Sequence, residues 1–232
     1  MKISVCVATY NGEKYIKEQL ASILVQLGCD DEVIVSDDNS IDNTLSIIKT
    51  FNDNRIKIFL NNGKRGVISN FENAICHASG EFLFLCDQDD IWKLNKVESV
   101  VNLLHDYTLI VHNTMLIDGY GDTMNQDFFS LKNSKSGYWN NMIKNSYLGC
   151  CIAFRRDLLQ YVIPFPKKIE MHDRWIGLQA ERHGEVFFYK EILSCYRIHG
   201  GNVSNSTEKS TNSIWRMIKI RLWLFFYTVV RK

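Results

Sequence analysis

With 232 residues, 46% of them apolar and 23% charged, the chain can bury one large α/β core, and its composition excludes an unfolded or fibrous protein. Its 27 Lys and Arg against 26 Asp and Glu leave a formal net charge of +1, so bulk charge points to no acidic partner and nucleic acid is not expected. Seven cysteines, odd in number and never spaced Cys-x-x-Cys, together with an N-terminus that lacks a leader pattern, predict a reducing, cytoplasmic setting.

From the N-terminus, short β-rich runs alternate with helical segments: ISVCVA, a helix over 13–27, EVIVS, a helix over 41–51, RIKIFL, a helix over 67–78, FLFLC and a helix over 93–105. This is the order of a mostly parallel sheet wound with crossover helices. Ile16, Leu20, Ile23, Leu24 and Leu27 fall on one helical stripe, as do Val67, Phe71, Ala74, Ile75 and Ala78. Beyond residue 106 the regularity fades. TLIVHN reads as a strand, 118–136 as Gly, Asn, Asp and Ser-rich loop, GCCIAFRRDLLQYV as strand then helix, and 172–183 as a helix after the Pro164-Phe165-Pro166 break.

Ligands of such sheets settle beyond the carboxyl ends of the strands. The segments there are TYNG, DDNS, NNGKRG and DQDD, all polar. In an extended segment Asp87 and Asp89 share one face while Gln88 and Asp90 take the other. Paired carboxylates of this kind favour Mg²⁺ or Mn²⁺, which in turn hold phosphate oxygens; the alternative is that Asp87 caps the next helix and the others are solvated. Asp37 and Asp38 at an earlier strand end can accept a base N–H or a ribose hydroxyl, and two acidic strand ends side by side point to a nucleotide between them. Asp42 to Thr44 also read as the first turn of a helix.

The ordered set SVCVATYNGEKYI, VIVSDDNSIDNT, GVISNFENAICHASGEFLFLCDQDDIW, GCCIAFRR, MHDRW and YRIHGGNVS resembles glycosyltransferase family 2, the nucleotide-sugar-dependent enzymes with a GT-A fold. DQDDIW with HDRW and YRIHGGN is most similar to its bacterial rhamnosyltransferase-like branch. The resemblance implies a GT-A domain over 1–210, with a nucleotide-binding half at 1–105 and an acceptor and catalytic half at 106–210, followed by an amphipathic tail at 211–232. It places Thr9, Tyr10, Asn11 and Glu13 at the nucleotide and Asp38, with Asp37, on the nucleoside. Asp89 becomes the direct metal ligand, with Asp87 near the ribose or the metal-bound water. Trp92 is expected as an aromatic lid on the next helix. Arg65, beside Lys64, is expected to approach the diphosphate, Asp173 to be the general base, Arg197 to lie near phosphate and His199 near the metal.

The implied function is inverting transfer of a sugar from a dTDP- or UDP-sugar, with Mn²⁺ or Mg²⁺, to a hydroxyl of a bacterial surface polysaccharide or lipid-linked glycan. The tail from 213 mixes aromatic and branched apolar residues with Arg216, Lys219, Arg221, Arg231 and Lys232 and leaves only Leu222 to Val230 uncharged. It is too short to span a bilayer and suits an interfacial helix on the membrane's inner surface; packing on the domain or on a second copy is the alternative. A non-catalytic nucleotide-sugar binder and an aspartyl phosphotransferase are the rival functions. Dinucleotide-fold and P-loop readings fail because neither GxGxxG nor GxxxxGK[ST] occurs.

Overall fold

The computed structural model describes residues 1–201 and 213–230; Asn202 of the YRIHGGN motif and the tail cations Arg231 and Lys232 lie outside the described residues. The predicted alternation is present as β1 (Ile3–Thr9), α1 (Ile16–Leu24), β2 (Glu32–Asp37), α2 (Thr44–Thr50), β3 (Ile56–Leu60), α3 (Val67–His77) and β4 (Phe82–Cys86). These four strands run parallel in the order β3-β2-β1-β4. Every residue of β1, β2 and β4 is buried, as near-continuous apolar runs covered on both faces must be.

The rest of the chain continues the same sheet. It comprises β5 (Ile91–Trp92), α4 (Lys96–Leu104), β6 (Leu109–Ile117), β7 (Thr123–Asp127), α5 (Phe128–Lys132), α6 (Tyr138–Ile143), β8 (Ile152–Arg155), α7 (Leu159–Val162), α8 (His172–His183), β9 (Val186–Arg197) and α9 (Ile214–Val230). Strand β8 is antiparallel to both β4 and β6, β9 runs parallel to β6, and β5 pairs antiparallel with β9, so the sheet is mixed. Two elements depart from the sequence expectation. The polar stretch 118–136 contains β7 and α5, and 186–197 forms a 12-residue strand whose half-exposed, charge-interrupted pattern gave no clean period of two.

Successive residues of a strand point to opposite faces, and here each face has its own core. Val5, Val7, Val33 and Val35 pack with Ile16, Leu20 and Ile23 of α1 and Val97 and Val100 of α4. Cys6, Ile34, Leu83 and Leu85 pack with Phe71 and Ile75 of α3 and Trp175 and Ile176 of α8. The two layers fix the strand ends rigidly, so that β1, β2, β4 and the N-terminus of α8 present their polar residues at one rim. All seven cysteines are free thiols.

Among the described residues, helix α9 docks chiefly by one side. Leu224 and Thr228 are buried, Tyr138 and Thr228 hydroxyls lie 2.6 Å apart, and Arg221 donates to the Ile143 carbonyl. The opposite side exposes Trp215, Ile218, Leu222, Phe225, Phe226, Val229 and Val230. Among the described residues no helix is long and apolar enough to cross a membrane.

Candidate active site

The loop after β1 is laced to the loop after β2. Asn11, with φ of 48°, donates its N–H to Ser40 Oγ and accepts from Ile41 N–H through Oδ1. Glu13 accepts from the backbone and side chain of Asn43, and Asp42 accepts from Glu13 N–H, from Thr44 N–H and from the Thr44 hydroxyl. The Asp42 to Thr44 turn therefore opens α2, and these bonds hold the Asp42 carboxyl below its usual range despite some burial.

Asp37 and Asp38 sit between these loops. Asp37 is fully buried and accepts from the Thr9 hydroxyl and from Ser40 through both N–H and Oγ, which places it beneath the loop. Asp38 accepts from Asn61 Nδ2 at 2.9 Å and from Gly66 N–H at 2.8 Å, tying the ends of β2 and β3 to the turn that carries Arg65. Gly66 has φ of 125°, a conformation that side chains rarely tolerate, and Arg65 beside it is exposed. Tyr10 is 48% exposed, so its ring lines the rim and is not core.

The carboxylate loop after β4 is not extended. Bends at Gln88 and Asp89 break the expected alternation and bring Asp87 and Asp90 together, with the Cys150 thiol, within 4.8 Å. Asp89 instead meets His199, whose Nε2 lies 2.8 Å from Asp89 Oδ2. Arg197 braces this loop from β9: its N–H donates to Asp90 Oδ1, its Nε to the Asp89 carbonyl, and its guanidinium pairs with Glu18 at 2.6 Å over the Tyr15 ring. The guanidinium is thus committed to α1 and the loop backbone, and its alignment beside His199 comes through Tyr15, which both groups contact.

Charge is concentrated beneath this loop. Burial, then Asp89 and Asp173, push the Asp87 carboxyl up to about 8. Burial and its two acidic neighbours push Asp90 well above the carboxylate range, and Asp90 Oδ2 is buried without a hydrogen-bond partner. Asp173, in the first turn of α8, is 4% exposed; burial raises it to about 7 against the opposing bond from Arg174 N–H. Met171 is the N-cap of α8, so Asp173 does not cap the helix. Because Asp173 is among the causes that raise Asp87, the end of β4 and the start of α8 share one electrostatic field.

Residues that the motifs did not single out complete the surroundings. Lys96, buried among these groups, donates to the Cys150 carbonyl and lies 3.9 Å over the Trp92 ring, which is how Trp92 packs on α4. His172 is 2% exposed, stacks on Phe71 at 4.0 Å and has neither ring nitrogen hydrogen-bonded; burial lowers it to about 3, so it is neutral. Trp92 belongs to β5 and Lys96 opens α4, so no helical spacing in the sequence announces their contact. The roles of Glu18 and Tyr15 had no local signal.

The curated relatives this chain is similar to include an Escherichia coli protein named UDP-Glc:alpha-D-GlcNAc-diphosphoundecaprenol beta-1,3-glucosyltransferase WfgD, 27% identical over 93% of this chain and 85% of the relative. Another is the teichuronic acid biosynthesis glycosyltransferase TuaG of Bacillus subtilis, so named as putative, 24% identical over 92% and 85% of the two chains. Among solved structures, S. aureus TarS 1-349 in complex with UDP-GlcNAc superposes with a TM-score of 0.74 at 23% identity, covering 97% of this chain and 67% of that one, which shows the fold. The mixed sheet and its flanking helices are accordingly a GT-A fold. The family model described as Glycosyl transferase family 2 matches residues 4–163, more than half of the sequence, and the chain belongs to that family of glycosyltransferases.

Proposed function

We propose that this chain transfers a sugar, with inversion, from a UDP-sugar or the closely related dTDP-sugar to a hydroxyl of a lipid-linked glycan. The observation that carries the reading is the crowding of Asp87, Asp89, Asp90 and Asp173 around one field at the sheet's carboxyl rim. The names of WfgD and of the TarS complex, which specify UDP-sugars, favour UDP over dTDP. A buried carboxyl raised to about 7 beside that cluster favours catalysis over binding alone.

The residues present fit a hard divalent cation. Carboxylate oxygens and an imidazole nitrogen are suitable donors, Asp89 and His199 are already 2.8 Å apart, and Asp87, raised first by burial and then by Asp89 and Asp173, lies in the same field. Asp89 and His199 would hold Mn²⁺ or Mg²⁺, with Asp87, which the bends turn toward Asp90 and Cys150, in the same field; when bound the ion supplies charge neutralisation for the departing diphosphate. Asp38, Thr9, Tyr10 and Asn11 form the nucleoside side of the site, with Asp37, Glu13 and Asp42 bracing it from beneath. Arg65 stands exposed on the turn tied to Asp38, where it would reach the diphosphate.

Asp173 takes the proton of the acceptor hydroxyl as that oxygen attacks the anomeric carbon, and the bond to the nucleoside diphosphate breaks on the opposite side. One displacement inverts the anomeric configuration. The Asp173 carboxyl, raised to about 7 by burial, is basic enough to accept the proton and still largely ionised just above neutrality.

The acceptor's lipid suits the exposed side of α9. That side is apolar and aromatic, Arg216 and Lys219 are exposed on the same helix, no carboxylate lies within 214–230, and exposed Trp139 of α6 stacks near Phe225 at 6.1 Å and extends the patch. We read this as peripheral binding to an anionic membrane surface. Two measurements test the proposal. Incubation with Mn²⁺ and a panel of UDP-, dTDP- and GDP-sugars should release free nucleotide slowly from a UDP-sugar; no release from any donor contradicts it. Full-length protein should sediment with anionic liposomes while a 1–210 truncation stays in solution; equal pelleting defeats the membrane reading.

A further inference from the structure

The ladder between β1 and β4 ends at the pair Val7 and Cys86, and Thr9 is the last β1 residue paired with β2. Tyr10, the next residue, stands where no strand remains to satisfy its backbone. Both of its main-chain groups are nevertheless bonded. Its N–H donates to Gln88 Oε1 at 2.9 Å, and its carbonyl accepts from Gln88 Nε2 at 3.0 Å. One carboxamide thus does what a neighbouring strand residue would do, since it carries a donor and an acceptor at nearly the spacing of a peptide group.

Gly12 fits this arrangement. Its φ is not positive, so its backbone does not itself demand glycine. A Cβ built there would lie 2.2 Å from Gln88 Oε1 and 2.6 Å from Gln88 Cδ. The obstacle to any side chain at position 12 is therefore the amide of Gln88, the movable end of a flexible side chain.

We infer that Gln88 is a positioning residue for donor binding: its amide clamps the Tyr10 loop to the carboxylate loop and thereby sets the separation of the nucleoside and diphosphate halves of the site. The inference rests on the donor reading above. Asp87 and Asp89 flank Gln88 directly, so a clamp at 88 fixes both carboxylates with respect to Tyr10. Arg197 holds the same loop from the other side through the Asp89 carbonyl and Asp90. With Gln88 removed, the loop keeps its β9 brace and loses its β1 brace.

The test is a double-variant cycle with UDP in Mn²⁺ as the calorimetric probe, together with amide exchange at Tyr10 followed by NMR in the nucleotide-free protein. Two lost hydrogen bonds correspond to about tenfold weaker UDP binding for Gln88→Ala. Gly12→Ala, by displacing the amide, weakens binding to a similar extent. Gly12→Ala on top of Gln88→Ala adds nothing, because the group it would displace is gone. Tyr10 N–H exchanges faster in each single variant while the melting temperature stays near that of the wild type.

Wild-type UDP affinity in Gln88→Ala, or a double variant weakened by the product of the two single effects, overturns the inference. Tyr10 exchange that is unchanged in Gln88→Ala overturns the clamp itself. If the wild type binds no UDP, it is the donor reading that fails, and Tyr10 exchange still decides whether the clamp exists.

Discussion

The two halves of the site's rim are built in opposite ways. Around β1 and β2, every acidic side chain that the structure brings together is hydrogen-bonded within the protein: Asp37 to Thr9 and Ser40, Asp38 to Asn61 and Gly66, Asp42 to Glu13 and Thr44, Glu13 to Asn43. Around β4 and α8 the polar groups are buried in one another's field. Asp87 and Asp173 are pushed to about 8 and about 7, Asp90 keeps an oxygen without a partner, and His172 has two unbonded ring nitrogens. The first region is finished as a scaffold. The second carries buried titratable groups and unmet hydrogen-bonding capacity that a ligand relieves, which is the arrangement expected where chemistry occurs.

If that contrast holds, substitutions of the second region's carboxylates should remove activity with little loss of stability, and those of the bracing carboxylates Asp37 and Asp42 in the first should do the reverse. The largest effect belongs to Asp173→Asn, which keeps the shape and removes the base. Its turnover should fall by about 10²–10⁴-fold in a donor-plus-acceptor assay, the range typical of a lost general base. The fold should survive. A carboxyl raised in the folded state adds stability while neutral and loses that contribution as pH climbs through about 7, so the variant should unfold no more easily than wild type at pH 8. Wild-type turnover would remove Asp173 from the mechanism.

Next is Asp89→Ala, which takes away the oxygen facing His199. Nucleotide binding in Mn²⁺ should weaken by about 100-fold, two lost charge-assisted contacts at the lower end of their usual strength. Retained affinity would place the cation elsewhere. A smaller, graded effect is the acid limb of the rate profile: turnover should decline about tenfold per pH unit below about 7, as Asp173 takes up a proton. A flat profile from pH 5.5 to 8 would contradict the ionised base.

The smallest effect on binding is expected in the scaffold. Asp37→Ala strands the Ser40 N–H and two hydroxyls and should cost about 1–3 kcal/mol of stability, seen as a lower melting temperature. UDP affinity measured well below that temperature should change only a few-fold. A large loss of affinity with an unchanged melting temperature would move Asp37 from the brace into direct ligand contact.

Much of this was legible in the sequence because alternating strand and helix periods are strong signals when strands are fully buried. The parallel run of β1 to β4 follows from the alternation of strand and helix patterns, the span of α8 from the Pro164-Phe165-Pro166 break before it, and the motif set led to the family. What stayed hidden depends on three-dimensional closure. Strand β9 is half exposed and interrupted by Lys190 and Glu191, so its pattern is weak, yet it delivers Arg197 and His199 beside Asp89. The pairing of Asp87 with Asp90 in place of Asp89 comes from bends that no spacing rule announces. The partners of Asp37 and Asp38 are more than twenty residues away in sequence in most cases, which is why a brace and a ligand contact look alike from sequence alone.

On the proposed reading, the carboxylate rim is completed by a divalent cation carrying a nucleoside diphosphate. Calorimetric titration of the full chain with UDP, in Mn²⁺ and again in excess EDTA, tests it most directly. Saturable heat in Mn²⁺ that collapses in EDTA is the predicted result; equal binding in both, or none in either, would contradict it.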